Sequence, residues 1–138
     1  MAQAVIDSSV FVKLVIEEEY SENAHAIRDA YISKDIDIIV PSLFQYEVLN
    51  AVRYSGSFSE SEMEDLYESI DNYNFGVFNA SKEFAKNMTK YSLRYKITIY
   101  DAAYVALAAM TNSKLYTADQ KLIDATNLPF IRHIREFK

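Results

Sequence analysis

Asp7, Glu47, Asp101 and Asp119 each interrupt or end an apolar run, in AVID, FQYEVLNAV, ITIYDAAYVALA and KLYTAD. A carboxylate on a core-facing position is costly unless it is paired or holds a metal ion. The sequence offers no matching set of inward Lys or Arg to pair with these acids. A cluster of oxygen ligands for a divalent cation is therefore expected. Oxygen donors suit Mg²⁺ or Mn²⁺ and suit Zn²⁺ poorly. Mg²⁺ shares its shell readily with phosphate oxygens, so the implied chemistry is phosphoryl transfer to an activated water. The chain has only two Gly and no Cys, which excludes a Gly-rich phosphate loop, thiolate metal sites and a Cys nucleophile. His25 and His133 lack metal-ligand spacing and read as surface or capping residues.

Each acid also has a structural reading. Asp7, in Asp-Ser-Ser, suits a helix N-cap. Glu47 follows Leu43 and Phe44 by four and three residues and precedes Ala51 by four, on an inward stripe with Val48 and Val52. It could instead sit wet at the stripe's edge or pair with Arg53. Asp101 opens DAAYVALAAM, where Tyr104, Val105, Ala108 and Ala109 recur at helical spacing, and an acid in a first turn is favoured by the helix dipole. Asp119 could be a bystander in a capping box of Thr117 and Gln120. Asp124 reads as a solvated helix residue. The four core-facing acids carry weight jointly rather than singly.

The elements that must position them alternate. Strands are expected at Gln3 to Asp7, Ile36 to Val40, Phe75 to Phe78, Leu115 to Thr117 and Pro129 to Ile134. Helices are expected from near Val10 behind Ser8 and Ser9, from Ser21 to Ser33, from Ser42 to about Ser55 with Gly56 as its stop, and behind a Ser59–Glu62 capping box whose helix shows Met63, Leu66, Tyr67 and Ile70 on one face. Further helices are expected from Asn79 to about Tyr95, from near Asp101 after an extended link at Ile97 to Ile99, and briefly after Asp119. Strand–helix alternation argues for an α/β fold with a mainly parallel sheet, whose ligands bind outside the carboxyl ends of the strands. Asp7 and Asp119 would both lie on that edge.

The chain has 138 residues, half of them hydrophobic, so a single domain over residues 1–138 is expected. Nothing in MAQAVIDSSVF resembles a secretory leader and no apolar run approaches a membrane span, so a cytoplasmic location is expected. Net charge is −6, which argues against a nucleic-acid binder; setting the four interior acids aside leaves −2, a nearly balanced surface. Lys82, Lys86 and Lys90 repeat every four residues as a stripe that could track a phosphate backbone, though a solvated face explains it better, and Arg132, Arg135 and Lys138 read alike. The 11 Tyr could stack on unpaired bases, though most, such as Tyr104, read as amphipathic core-edge residues.

DSSVFVKL, YEVLNAV, YDAAYVALA and TADQKL, in that order from Asp7 to Leu122, resemble the PIN-domain ribonucleases, and most of all the VapC toxins of toxin–antitoxin pairs. The resemblance implies a three-layer α/β/α, Rossmann-like PIN domain with about five mainly parallel strands. It implies Mg²⁺- or Mn²⁺-dependent endonucleolytic cleavage of single-stranded RNA, with Asp7, Glu47, Asp101 and Asp119 matching the family's acids. Ser9 and Thr117 match polar residues that orient waters or acids. A homodimer and a small VapB-like antitoxin reaching into the acidic groove are implied as partners. A housekeeping RNA-processing PIN nuclease and a non-catalytic PIN-like RNA- or protein-binding module are the alternatives; retention of all four acids counts against the second. A receiver-type phosphoacceptor would want a further acid pair beside the first strand end, where Ser8 and Ser9 stand.

Overall fold

The computed structural model describes residues 2–138. Five strands form one sheet: β1 (Ala2–Ile6), β2 (Ile36–Pro41), β3 (Gly76–Phe78), β4 (Lys114–Thr117) and β5 (Ile131–His133), in the order β3-β2-β1-β4-β5. Every neighbouring pair is parallel, with Val5 opposite Ile39 on one side and Leu115 on the other. The helices between them are α1 (Ser8–Val15), α2 (Ser21–Ile32), α3 (Phe44–Ser55), α4 (Glu60–Tyr73), α5 (Lys82–Tyr95), α6 (Ile99–Met110) and α7 (Gln120–Thr126). Parallel strands need such crossovers, and their right-handedness puts α1–α4 over one face of the sheet and α5–α7 over the other.

The middle strands are buried because both faces are covered: Val5, Ile6, Ile38, Ile39, Val40 and Leu115 are nearly inaccessible. Helix α6 is buried throughout Ala102–Ala108. Its run of Ala with Val105 and Leu107 lets it lie closely against the sheet, where it packs on β1, β2 and β4. On the opposite face Phe11, Phe44, Tyr73 and Phe75 meet edge-to-face or stacked, with ring centroids 5.4–6.2 Å apart.

The Ser59–Glu62 capping box forms, and Gly56 ends α3 at φ +75°. Other ends differ from expectation. Asp7 itself, not Ser8 or Ser9, caps α1; Ser81, not Asn79, caps α5; and Thr98 caps an α6 that already includes Ile99. Ser, Asn and Asp side chains cap almost equally well, so their local order alone does not choose between them. Ala51, expected on the inward stripe of α3, is exposed, as is Tyr67 of α4. Lys13 is buried, which the sequence reading overlooked; its Nζ donates to Glu18 Oε1 at 3.1 Å and to the Glu19 carbonyl at 2.7 Å. No helix among the described residues is long and apolar enough to cross a membrane.

Candidate active site

The sheet topology sets the location. From β1 the chain moves outward through β2 to β3, then returns across to β4 beside β1. The crevice at the carboxyl ends of β1 and β4 is therefore the switch point where open α/β sheets bind ligands. Asp7 follows β1 directly, and Thr117 ends β4. Helix α3 leaves β2 with Glu47 in its first turn. Helix α6 runs back antiparallel to feed β4, so its first turn, with Asp101, lies on the same edge. Asp119 opens α7 just beyond β4.

Asp7 is 8% exposed and tightly held. Ser9 Oγ donates to Oδ1 at 2.5 Å, Thr117 Oγ1 to Oδ2 at 2.5 Å, and the Val10 amide to Oδ1 at 3.4 Å. Burial pushes its pKa up to about 6, outweighing these three donors, with a smaller push from the Asp101 charge. Ser9 and Thr117 also tie down the β4–α7 turn: Ala118 N donates to Ser9 Oγ at 3.0 Å and Asp119 N to Thr117 Oγ1 at 3.0 Å. The two expected orienting residues thus grip both the first acid and the backbone of the last.

Glu47 is half-buried, and Tyr104 Oη donates to its Oε1 at 2.6 Å. Burial raises the Glu47 pKa, the Tyr104 bond lowers it, and Asp101 raises it again. Tyr104 is 2% exposed, and burial first, then the Glu47 charge, drives its pKa far above the ordinary phenol value. It stays a donor at any working pH. Arg53 does not pair with Glu47: the ion pairs among the described residues are Lys13–Glu18, Arg28–Asp29 and Arg132–Glu136.

Asp101 has its pKa raised by burial and then by the Asp119 charge, and its backbone amide takes the Thr98 cap at 3.0 Å. A hydrogen bond between the Thr98 hydroxyl and the Asp101 carboxylate lowers the pKa against these two pushes. Asp119 is not a bystander: it caps α7, accepting from the Lys121 amide at 3.0 Å and the Leu122 amide at 3.4 Å, both at Oδ1. His133 caps the closing 3₁₀ turn by accepting from the Arg135 amide at Nδ1, 3.1 Å away, and Asp124 is exposed on α7.

Electrostatics links these acids pairwise, with Asp101 the common partner. Asp101 acts on Asp7 and on Glu47, and Asp119 acts on Asp101. The four acids share a neighbourhood rather than a finished shell, because among the described residues no three His, Asp or Glu side chains stand ready to hold a metal ion. The donor chemistry nonetheless fits a hard divalent cation. All donors are oxygens, no ion pair among the described residues neutralises them, and neighbouring like charges in a partly dry crevice need a counter-charge.

The PIN domain family model matches residues 4–128. The chain belongs to the PIN-domain family. It is similar to Ribonuclease VapC3 of Pyrobaculum aerophilum, with 31% identity over 128 residues covering 87% of this chain and 92% of the relative. Ribonuclease VapC1 of Mycobacterium tuberculosis is 28% identical over 131 residues, covering 94% of this chain and 95% of that protein. Among solved structures, a toxin–antitoxin complex from Klebsiella pneumoniae superposes with a TM-score of 0.69 at 16% identity, covering 92% of this chain and 93% of the other. Mycobacterium tuberculosis VapC20, described as a sarcin–ricin loop cleaving toxin, gives 0.67 at 12% identity, covering 88% and 94%. At such identities the superpositions establish the shared fold, a parallel five-stranded PIN-like α/β domain.

Proposed function

We propose that this PIN-domain protein is a divalent-metal-dependent endoribonuclease that hydrolyses phosphodiester bonds of single-stranded RNA, and that it is the toxin of a VapBC-type pair. The observation that carries the proposal is the linked set Asp7, Glu47, Asp101 and Asp119 at the sheet's switch point, with no ion pair to any of them among the described residues. The ribonuclease names of its relatives support the substrate class, and the toxin–antitoxin complex among its structural neighbours supports a VapB-like antitoxin; a homodimer belongs to the same proposal.

Bound Mg²⁺ or Mn²⁺ supplies a water of lowered pKa and a counter-charge for the phosphate. The chain's residues do the positioning. Ser9 and Thr117 fix both oxygens of Asp7, so this acid cannot swing away. Tyr104 holds Glu47 by one oxygen and leaves the other for a cation or a water. Asp119 spends Oδ1 on the α7 amides and keeps Oδ2 for the crevice. Asp101, steadied by a hydrogen bond with the Thr98 side chain, supplies the charge felt by both Asp7 and Glu47.

The test is cleavage of single-stranded RNA with Mg²⁺ or Mn²⁺ by wild type and Asp7→Asn. EDTA-sensitive cutting by the wild type, lost in the variant, supports the proposal. Equal, EDTA-insensitive cutting by both proteins would defeat it.

A further inference from the structure

Beside the acids runs an open groove of about 730 Å³, bounded by α3, α4 and the start of α6. Leu43, just before α3, and Met63 of the facing α4 line it. Glu47 belongs to its wall, so the groove reaches one of the four carboxylates. Two phenol rings flank that opening, each one residue before an acid: Tyr46 before Glu47, 69% exposed, and Tyr100 before Asp101, 63% exposed. Neither ring stacks on another aromatic side chain of the chain, whereas the core rings around Phe75 do. Along α3, Tyr46, Asn50 and Arg53 follow at i, i+4 and i+7, forming one strip that ends in a guanidinium without a carboxylate partner.

An exposed aromatic face, a side-chain amide and a guanidinium that rests 5.9 Å from the centre of the Tyr54 ring follow in sequence, matching what an unpaired nucleotide presents: a base to stack, a base edge to read and a phosphate to neutralise. The groove is large enough for one base with its ribose, and Glu47 stands in its wall. We infer that Tyr46 and Tyr100 form a stacking subsite for the nucleotide flanking the scissile phosphate of single-stranded RNA, with Asn50 facing the base edge and Arg53 the next phosphate. The inference rests on the cleavage reading and deepens it: base choice beside the cut is set by this groove, while the acids act on the backbone that every nucleotide shares.

The test uses the full-length protein and a single-stranded RNA carrying 2-aminopurine at each position in turn. Binding is read by fluorescence in an Asp101→Asn background, and cleavage with Mn²⁺ in the otherwise native protein. Quenching is expected at one position. Tyr46→Ala and Tyr100→Ala should each abolish it and weaken RNA binding by about ten- to a hundredfold, appearing in cleavage as a raised KM with kcat largely kept. Tyr46→Phe and Tyr100→Phe, which keep the ring, should bind as the parent does. Both tyrosines are exposed, so melting temperatures should not move. Unchanged RNA affinity and quenching in both Ala variants would overturn the subsite while leaving cleavage by the acids standing. If instead the unaltered protein never cuts RNA but the Ala variants still lose binding, the subsite stands and the cleavage reading fails. Loss of binding to the antitoxin partner alone, with RNA affinity intact, would assign the groove to a protein segment and overturn the inference.

Discussion

The charge on Asp7 should destabilise the metal-free fold, and Asp7→Asn should expose that cost through its pH dependence. The folded protein raises this carboxyl from 3.8 to about 6 because burial outweighs the Ser9, Thr117 and Val10 hydrogen bonds. A group with a raised folded pKa makes the native state bind more protons than the unfolded chain. The stabilisation from the protonated form is therefore complete below about pH 4 and lost as pH rises through about 6. At about 1.4 kcal/mol per pH unit, the rise from 3.8 to about 6 amounts to about 3 kcal/mol at pH 7. For a chain of this length that corresponds to a melting-temperature difference of about 10 °C. The substituted amide does not titrate. It also forces the Ser9 or Thr117 hydroxyl to turn, but that offset is independent of pH. Urea unfolding of wild type and Asp7→Asn in EDTA, from pH 4 to pH 7.5, isolates the effect. The variant should gain on the wild type by between about 2 and 3 kcal/mol across the range, most of it between pH 4 and 6. Adding Mn²⁺ at a hundred times its Kd should return about 2.7 kcal/mol to the wild type at pH 7 and less to the variant. A stability difference that stays flat with pH would refute the claim that burial of an ionised Asp7 opposes folding.

Asp101→Asn should reduce RNA cleavage by at least about a thousandfold in gel assays while the metal-free melting temperature holds or rises, since Thr98 caps α6 and the removed charge repels its neighbours. Unfolding of that variant would mean that Asp101 is structural. Tyr104→Phe removes the donor to Glu47; cleavage should fall about ten- to a hundredfold, as for other residues that orient ligands, and stability by about 1–2 kcal/mol in denaturant melts. Thr117→Val takes a hydroxyl from both Asp7 and the Asp119 amide, and should lower apparent Mn²⁺ affinity about tenfold by calorimetry. Ser59→Ala serves as a remote control: loss of the α4 cap should cost about 1 kcal/mol in urea and leave cleavage unchanged.

The strands were legible because parallel strands covered on both faces read as continuous apolar runs, as in Ile36 to Val40. The acids were legible for the same reason, since a carboxylate inside such a run needs an explanation. Less visible were the helix starts. Asp7 and Asp119, both at the carboxyl edge of the sheet, each serve as an N-cap, and neighbouring Ser or Thr offered equally good local caps. Tyr104 shows the limit most clearly. Its spacing from Asp101 placed it on a buried helix face, yet its bond reaches a residue 57 positions away on α3, and no local pattern encodes which tyrosine meets which glutamate. Lys13 was hidden similarly, because its buried ammonium is satisfied by Glu18 and a backbone carbonyl in the loop after α1. The exposure of Ala51 reflects α3 lying at the border between sheet and groove, where half a turn separates core from solvent.

The most direct measurement is an anomalous difference map from a crystal of the wild-type protein grown with manganese. A peak bounded by carboxylate oxygens of Asp7, Glu47, Asp101 and Asp119 is the expected result, with Tyr104 still holding Glu47. A map without a peak there, or with these carboxylates drawn apart onto basic side chains, would contradict it.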